Sequence, residues 1–172
     1  MKQVEKNKEM FVKAYDNHSD AIFRYCLFRV FDREKAKELM QETFTKTWEY
    51  IIKDKGKIDN IRAFLYRVAH NICVNEIIKN KAYSLEEMSE KAGFDPEDKN
   101  RQTLEDETEI KILIEKMQLL KPNERDLLTM RYINDLKVSE IAKILNALPN
   151  TVSVKIGRAE ESLKKLYEIN GK

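Results

Sequence analysis

The stretch Ser139–Leu166, SEIAKILNALPNTVSVKIGRAEESLKKL, decides how the rest of the chain is read. In its second half Val152, Ile156, Ala159, Leu163 and Leu166 follow one another by four, three, four and three. That spacing lays them along one face of a 3.6-residue period. Asn150 stands where an N-cap belongs, its side chain able to accept from orphan N–H groups. Pro149 before it ends the preceding segment, because the residue ahead of a proline is pushed out of the α region. In the shorter first half Ile141, Ala142 and Leu145 share a side, with a small Ala where a second helix can approach closely. A short helix, a tight turn and a longer helix exposing Lys155 and Arg158 make a helix-turn-helix pattern. A plain αα-hairpin has the same periodicity, and the pattern alone does not separate the two.

The wider composition fits this stretch. The 172 residues are 42% hydrophobic and 36% charged, with only four Gly and three Pro. This describes a largely helical globular chain, long enough for one domain or two small ones. No run of about 18 apolar residues reads as a membrane span. The lysine-rich N-terminus lacks the apolar core of a signal peptide. Cys26 and Cys73 stand singly in helical patterns, as reduced core thiols of a cytoplasmic protein do.

The net charge of +2 hides a division. Residues 1–80 carry 16 basic and 12 acidic side chains, residues 81–115 carry 5 and 11, and residues 116–172 carry 11 and 7. Two basic blocks flank an acidic segment. A basic balance favours polyanions through phosphate contacts and counterion release. Ordinary solvated helix surfaces account for so modest an excess equally well.

From the N-terminus, Lys8–Phe31 is helical in pattern, with a break expected near Asn17-His18-Ser19 and Ser19 capping a new helix. Asp32 caps the next helix, whose apolar side holds Ala36, Leu39, Met40, Thr43, Phe44, Thr47, Trp48 and Ile51. KDKGKIDN, residues 53–60, is a loop centred on Gly56. Ile61–Lys79 forms a third helix with Ile61, Phe64, Leu65, Val68, Ile72 and Ile77 inward, and three such helices make a compact bundle. From Asn80 to about Thr108 the period lapses in an acidic, apolar-poor segment containing Gly93 and Pro96, which reads as an exposed linker. The period returns through Ile110, Leu113, Ile114, Met117 and Leu120, and Pro122 suits the first turn of the next helix. The expectation is an all-α chain of two small helical domains: an N-terminal helical bundle over 1–80 and a C-terminal helix-turn-helix domain over 109–172. A flexible acidic linker over 81–108 joins them.

Enzyme chemistry finds little footing. His18 and His70 lack a triad pattern, and no glycine-rich phosphate loop is present. His70 and Cys73, at i and i+3, make only half of a zinc site. No metal, cofactor or catalytic residue is expected.

At this point the order of motifs carries a resemblance. DREKAKELMQETFTKTWEY (32–50), IRAFLYRVAHNICVNEI (61–77), LKPNERDLLTMRYINDLKVSEIAKIL (120–145) and NTVSVKIGRAEESLKKL (150–166) resemble the bacterial extracytoplasmic-function (ECF) sigma factors. The specificity lies in the combination and its order, which covers nearly the whole chain. The resemblance implies a first block that binds the β′ clamp helices of core RNA polymerase and helps melt the -10 element. It implies a second block that sets its last helix in the major groove of the -35 element while resting on the β flap. The linker would run through the polymerase toward the RNA exit path, where its acids mimic nucleic acid in a basic channel. An anti-sigma partner is also implied, with no membrane insertion by this chain itself.

The same resemblance assigns residues. The polymerase-facing set is Glu38, Gln41, Glu42 and Lys46, on the polar side of the Gln-Glu-Thr-Phe helix; Phe44 and Trp48 lie on its apolar stripe and belong to the core. For the -10 element the set is Lys57, Asn60, Arg62, Arg67 and Asn71, since holding an unstacked base takes amide groups and cations on a loop and an adjoining helix. Phe64 belongs to the apolar stripe, whereas Tyr66 has the chemistry to stack on a base. Asn75 replaces a frequent Asp, and IIKNK (77–81) is poorer in arginine than is usual in the family. For the -35 element the set is Thr151, Ser153, Val154, Lys155 and Arg158, near the start of the last helix, where side chains reach base edges and phosphates. Ser153-Val154-Lys155 stands where the family often has Lys-Ser-Arg, so Lys155 and Arg158 carry the DNA contact. Gly157 costs about 1 kcal/mol against Ala inside a helix and reads as a point of close backbone approach.

Two other functions compete. A helix-turn-helix regulator that never directs polymerase has no use for the Gln-Glu-Thr-Phe helix. A purely protein-binding adaptor has no use for exposed cations on a recognition helix.

Overall fold

A computed structural model describes residues 2–53, 58–84 and 104–169, with side chains over 4–53, 58–82 and 108–169. Every regular element among them is helical: α1 (Lys2–Val30), α2 (Arg33–Ile52), α3 (Ile61–Ser84), α4 (Leu104–Leu119), α5 (Pro122–Leu128), a π-helical turn (Thr129–Ile133), α6 (Val138–Leu145) and α7 (Pro149–Ile169). Helices α1–α3 form one unit and α4–α7 a second. Gly56 and residues 85–103, including Gly93 and Pro96 of the acidic segment, lie outside the described residues.

Helix α1 runs unbroken through Asn17-His18-Ser19, so the expected break and Ser19 cap are absent. No Gly or Pro interrupts the segment, and Ala14 and Ile22 on either side of it are both buried in one core. A tripeptide of modest helix propensity costs a few tenths of a kcal/mol per residue, less than that burial returns. The helix stops at Phe31, whose φ of 53° is left-handed and whose N–H reaches the Leu27 carbonyl at 2.7 Å. This conformation is costly for a residue with a Cβ, roughly 1–2 kcal/mol. It turns the Phe31 ring onto the cluster of Met117, Leu120, Leu128 and Ala159 in the second unit.

Asp32 then caps α2 as expected, accepting from the Lys35 N–H at 2.8 Å. Thr43 and Thr47 lie on the apolar stripe and are fully buried. Each hydroxyl donates to the carbonyl four residues back, Leu39 at 2.7 Å and Thr43 at 2.8 Å, so neither is left unsatisfied. Trp48 is half-buried and meets Phe11 at 5.0 Å between ring centroids, while Tyr15 meets Phe44 at 4.8 Å. These aromatic pairs fasten the N-terminal part of α1 to α2.

Helix α3 continues to Ser84, and α4 begins at Leu104, so the helical pattern extends further on both sides of the acidic segment than its periodicity indicated. Leu65, Tyr66, Ala69, Ile72 and Cys73 are its buried side.

In the second unit Pro122 opens α5, as expected. Arg125 gathers four carbonyl oxygens, those of Met117, Gln118, Leu120 and Arg29, at 3.0–3.3 Å, and its guanidinium lies 4.9 Å from the Phe31 ring centroid. It satisfies the carboxyl end of α4 and ties that end to α1. Burial, together with the charge of Arg29, lowers its pKa to about 10, still charged at neutral pH. Glu124 accepts from the Lys121 N–H at 3.2 Å and from the Ser162 hydroxyl at 2.8 Å, joining α5 to α7.

Between α6 and α7, Asn146 takes φ 50° and ψ 50° and the Ala147 N–H returns to the Ala142 carbonyl at 2.9 Å. Asn tolerates this left-handed helix end. Helix α7 starts at Pro149, with the Val152 N–H bonded to the Leu148 carbonyl at 3.0 Å. The expected Asn150 cap is therefore corrected: Pro149 is the first helical residue and Asn150 lies inside the first turn. A proline there fits because its missing N–H would have had no intrahelical partner.

The two units pack on each other. Ile22, Tyr25, Leu65 and Tyr66 share one buried cluster with Leu127, Met130, Leu136 and Ile141.

Candidate nucleic-acid interface

The polymerase-facing candidates form an outward strip on α2. Glu38, Gln41, Glu42 and Lys46 are all exposed, while the opposite side of the helix is buried. Lys46 and Glu42 pair at 2.7 Å, and Glu38 pairs with Lys35 at 2.6 Å. Exposed pairs at this spacing contribute only about 0.3–0.5 kcal/mol, so a partner can exchange them at little cost.

The -10 candidates part company. Lys57 lies outside the described residues. Asn60 accepts from the Ala63 N–H at 3.0 Å and so caps α3. Arg62 reaches into the second unit, to Glu140 Oε1 at 3.1 Å and the Asn134 carbonyl at 3.2 Å. Arg67 donates to the Lys143 carbonyl at 2.7 Å. Asn71 is exposed one turn further along α3. Tyr66, read as able to stack on a base, is 1% exposed and packs edge-on against Tyr25 at 5.7 Å, which makes it a core residue.

The -35 candidates stand on open surface. Thr151, Ser153, Val154, Lys155 and Arg158 are all exposed on α7, above the buried Val152, Ile156 and Ala159. A Cβ built on Gly157 meets nothing within 4 Å, so the close approach read from sequence is not made by any of the described residues.

One constellation escaped the sequence reading. Asp126 on α5 is buried and accepts from the Tyr25 hydroxyl at 2.7 Å; it pairs with His70 Nδ1 at 2.8 Å and lies 3.4 Å from Arg29 Nε. Burial pushes the Asp126 carboxyl up, but the His70 hydrogen bond, the Arg29 charge and the Tyr25 hydroxyl outweigh it, and its pKa is lowered. In sequence Asp126 looks like any acid on an amphipathic helix, and Tyr25 is 101 residues away. His70 and Cys73 therefore serve different partners, because Cys73 Sγ meets Cys26 Sγ at 3.8 Å in the core of the first unit. Among the described residues no three His, Cys, Asp or Glu side chains are grouped to hold a metal ion.

The second unit also bears an apolar pocket of about 380 Å³ between α4, the π turn and α7, lined by Leu113, Met117, Leu128, Leu163 and Tyr167. Tyr132 at its edge hydrogen-bonds to Glu160. No helix among the described residues is long and apolar enough to cross a membrane.

Comparison with known proteins gives a consistent result. Residues 14–83 match the Sigma-70 region 2 family and residues 110–163 match Sigma-70, region 4. The RNA polymerase sigma factor YlaC of Bacillus subtilis is 28% identical over 166 residues, covering 93% of each chain. The ECF RNA polymerase sigma factor SigW of the same organism is 29% identical, covering 96% of this chain and 93% of its own. In fold, the sigma factor RpoE of Bartonella quintana, solved in complex with the anti-sigma factor NepR, superposes with a TM-score of 0.73 at 17% identity, over 94% of this chain and 98% of that one. CnrH, solved with the cytosolic domain of CnrY, gives 0.72 at 18% identity, over 99% and 95%.

Proposed function

The chain belongs to the extracytoplasmic-function sigma factors of the sigma-70 family, and from that premise we propose how its surfaces divide the work. As an RNA polymerase sigma factor it binds core polymerase and directs initiation at promoters through their -10 and -35 elements. In our reading residues 1–80 serve the β′ clamp helices and the -10 element, residues 81–108 are the linker, and residues 109–172 serve the -35 element. Glu38, Gln41, Glu42 and Lys46 are the polymerase contacts; Lys57, Asn60, Arg62, Arg67 and Asn71 face the -10 element; Thr151, Ser153, Val154, Lys155 and Arg158 face the -35 element.

The observation that carries this assignment is the exposed face of α7. Lys155 and Arg158 have no ion-pair partner among the described residues and project from the opening turns of a helix whose other side is fully packed. Such side chains can neutralise phosphates and reach base edges in the major groove. The apolar pocket beside Leu113 and Tyr167 is a seat for an apolar segment, and we assign it to the β flap. The regulator alternative has no role for a region 2 block matched over residues 14–83. We take the chain to be a non-catalytic cytoplasmic factor, held by an anti-sigma partner until its signal arrives.

Run-off transcription with core polymerase on a library of upstream sequences tests the reading. Promoter-specific transcripts should appear with the protein and vanish with Lys155→Ala plus Arg158→Ala. Failure to bind core polymerase, or to confer promoter specificity, would overturn it.

A further inference from the structure

We propose that Val154 sets the base preference of this chain at the -35 element, by reading the 5-methyl group of a thymine in the major groove. The proposal rests on the reading that the outer face of α7 serves that element. Val152, Ile156 and Ala159 fill the core side of α7 and are 1%, 6% and 0% exposed, whereas Val154 is 54% exposed. With about 100° between successive residues of a helix, Val154 points almost directly away from the middle of that buried stripe. Ser153 and Lys155 then fall on its two flanks, with Gly157 and Arg158 between the flanks and Val154. Single exposed apolar residues are ordinary on protein surfaces; Val154 differs by its place.

A helix about 10–12 Å across fills a major groove roughly 12 Å wide. Its outermost residue therefore meets the base edges, and its flanks meet the phosphate walls. In α7 the outermost residue is Val154, and the flanks are a hydroxyl and an ammonium suited to phosphate oxygens. Gly157, one turn further on, leaves bare backbone beside Val154, and a Cβ there would meet nothing within 4 Å. The surface around Val154 is thus open enough for base edges to come into contact with it.

The floor of the groove presents hydrogen-bonding groups and one hydrocarbon group, the thymine methyl. Val154 has no atom that donates or accepts. Set against a purine N7, a guanine O6 or an amino group of adenine or cytosine, it strips away water that it cannot replace. Set against a thymine methyl, it withdraws apolar surface of both partners from water. Exclusion and attraction therefore favour the same base. The family motif often has Ser where this chain has Val154, and a hydroxyl meets donors and acceptors alike. Val154 gives up that latitude, so the preference belongs to this chain. The rival for the same contact is Leu148, 72% exposed in the turn before α7.

Deleting single methyl groups from the promoter tests this. The strongest template from the run-off library is rebuilt with each -35 thymine, on either strand and one at a time, replaced by deoxyuridine, which pairs as thymine does. With wild-type holoenzyme at limiting concentration, one replacement should lower transcript yield about fourfold, the factor that burying one methyl-sized group is worth. In Val154→Ala the same replacement should matter less than about 1.5-fold, as the partner of the methyl is gone, while Leu148→Ala should keep the full effect. Each ratio compares two templates with one protein, so a change in the amount of folded variant cancels. A -35 element with no responsive thymine, or a response that survives Val154→Ala, overturns the proposal. A response abolished by Leu148→Ala instead moves the contact to the turn and overturns it equally. Failure of the underlying reading looks different: transcript yield is then indifferent to Lys155→Ala plus Arg158→Ala, or no promoter-specific transcript forms at all, and the proposal falls with it.

Discussion

The two candidate DNA-reading faces differ in one respect: among the described residues the cations on α7 are unpaired, and those on α3 are engaged. Lys155 and Arg158 are exposed with no ion-pair partner among the described residues, whereas Arg62 and Arg67 are bonded to the other half of the molecule. Both faces use cations on helices, so chemistry does not separate them; their surroundings do. A duplex reader can be preformed because duplex DNA is always available as a rigid partner.

The contrast can be broken most severely at Arg125, which binds carbonyls of both units. Arg125→Ala leaves four acceptors short of a charged donor and should destabilise the chain by about 3 kcal/mol, seen as a lower urea midpoint. Next in size, Lys155→Ala with Arg158→Ala should weaken -35 duplex binding by about 2–3 kcal/mol and flatten its dependence on salt. Arg62→Ala with Arg67→Ala should leave that duplex binding unchanged. A smaller effect is expected from acid. The Asp126 pKa is depressed by His70 and Tyr25 hydrogen bonds and the Arg29 charge, against burial. Its contribution is therefore complete above the ordinary carboxylate pKa of about 3.9 and is lost as pH falls through the lower folded value. Urea midpoints at pH 7 and pH 3 should differ less for Asp126→Asn than for wild type. Smallest is Gly157→Ala, which fills open space on α7 and should raise stability by up to about 1 kcal/mol. If DNA passes close to that face, the same variant should lower -35 affinity while it raises the melting temperature.

Local signals were legible in the sequence where one element decides its own fate. The α7 stripe through Val152, Ile156 and Ala159 is visible as spacing, and Asp32 and Pro122 announce helix starts because capping needs only neighbours a few residues away. The same locality misled at Ser19 and Asn150, where a good capping residue sits in a stretch whose packing or proline chemistry prevails. Tyr66 looked available because nothing in its neighbourhood reveals that Tyr25 covers it. The Asp126 socket was illegible for the same reason: its members come from α1, α3 and α5, and only the meeting of two distant units makes one carboxylate differ from the many solvated ones.

The pair of thiols in the first unit supplies a clock. Cys26 and Cys73 are both 0% exposed, so alkylating reagents cannot reach either sulfur in the folded chain, and the Cys73 hydrogen bond and burial hold the Cys26 thiol far above its ordinary pKa. The pair joins α1 to α3, so melting of the bundle releases both sulfurs together. The rate at which a thiol reagent caps the pair thus times the melting of the first bundle.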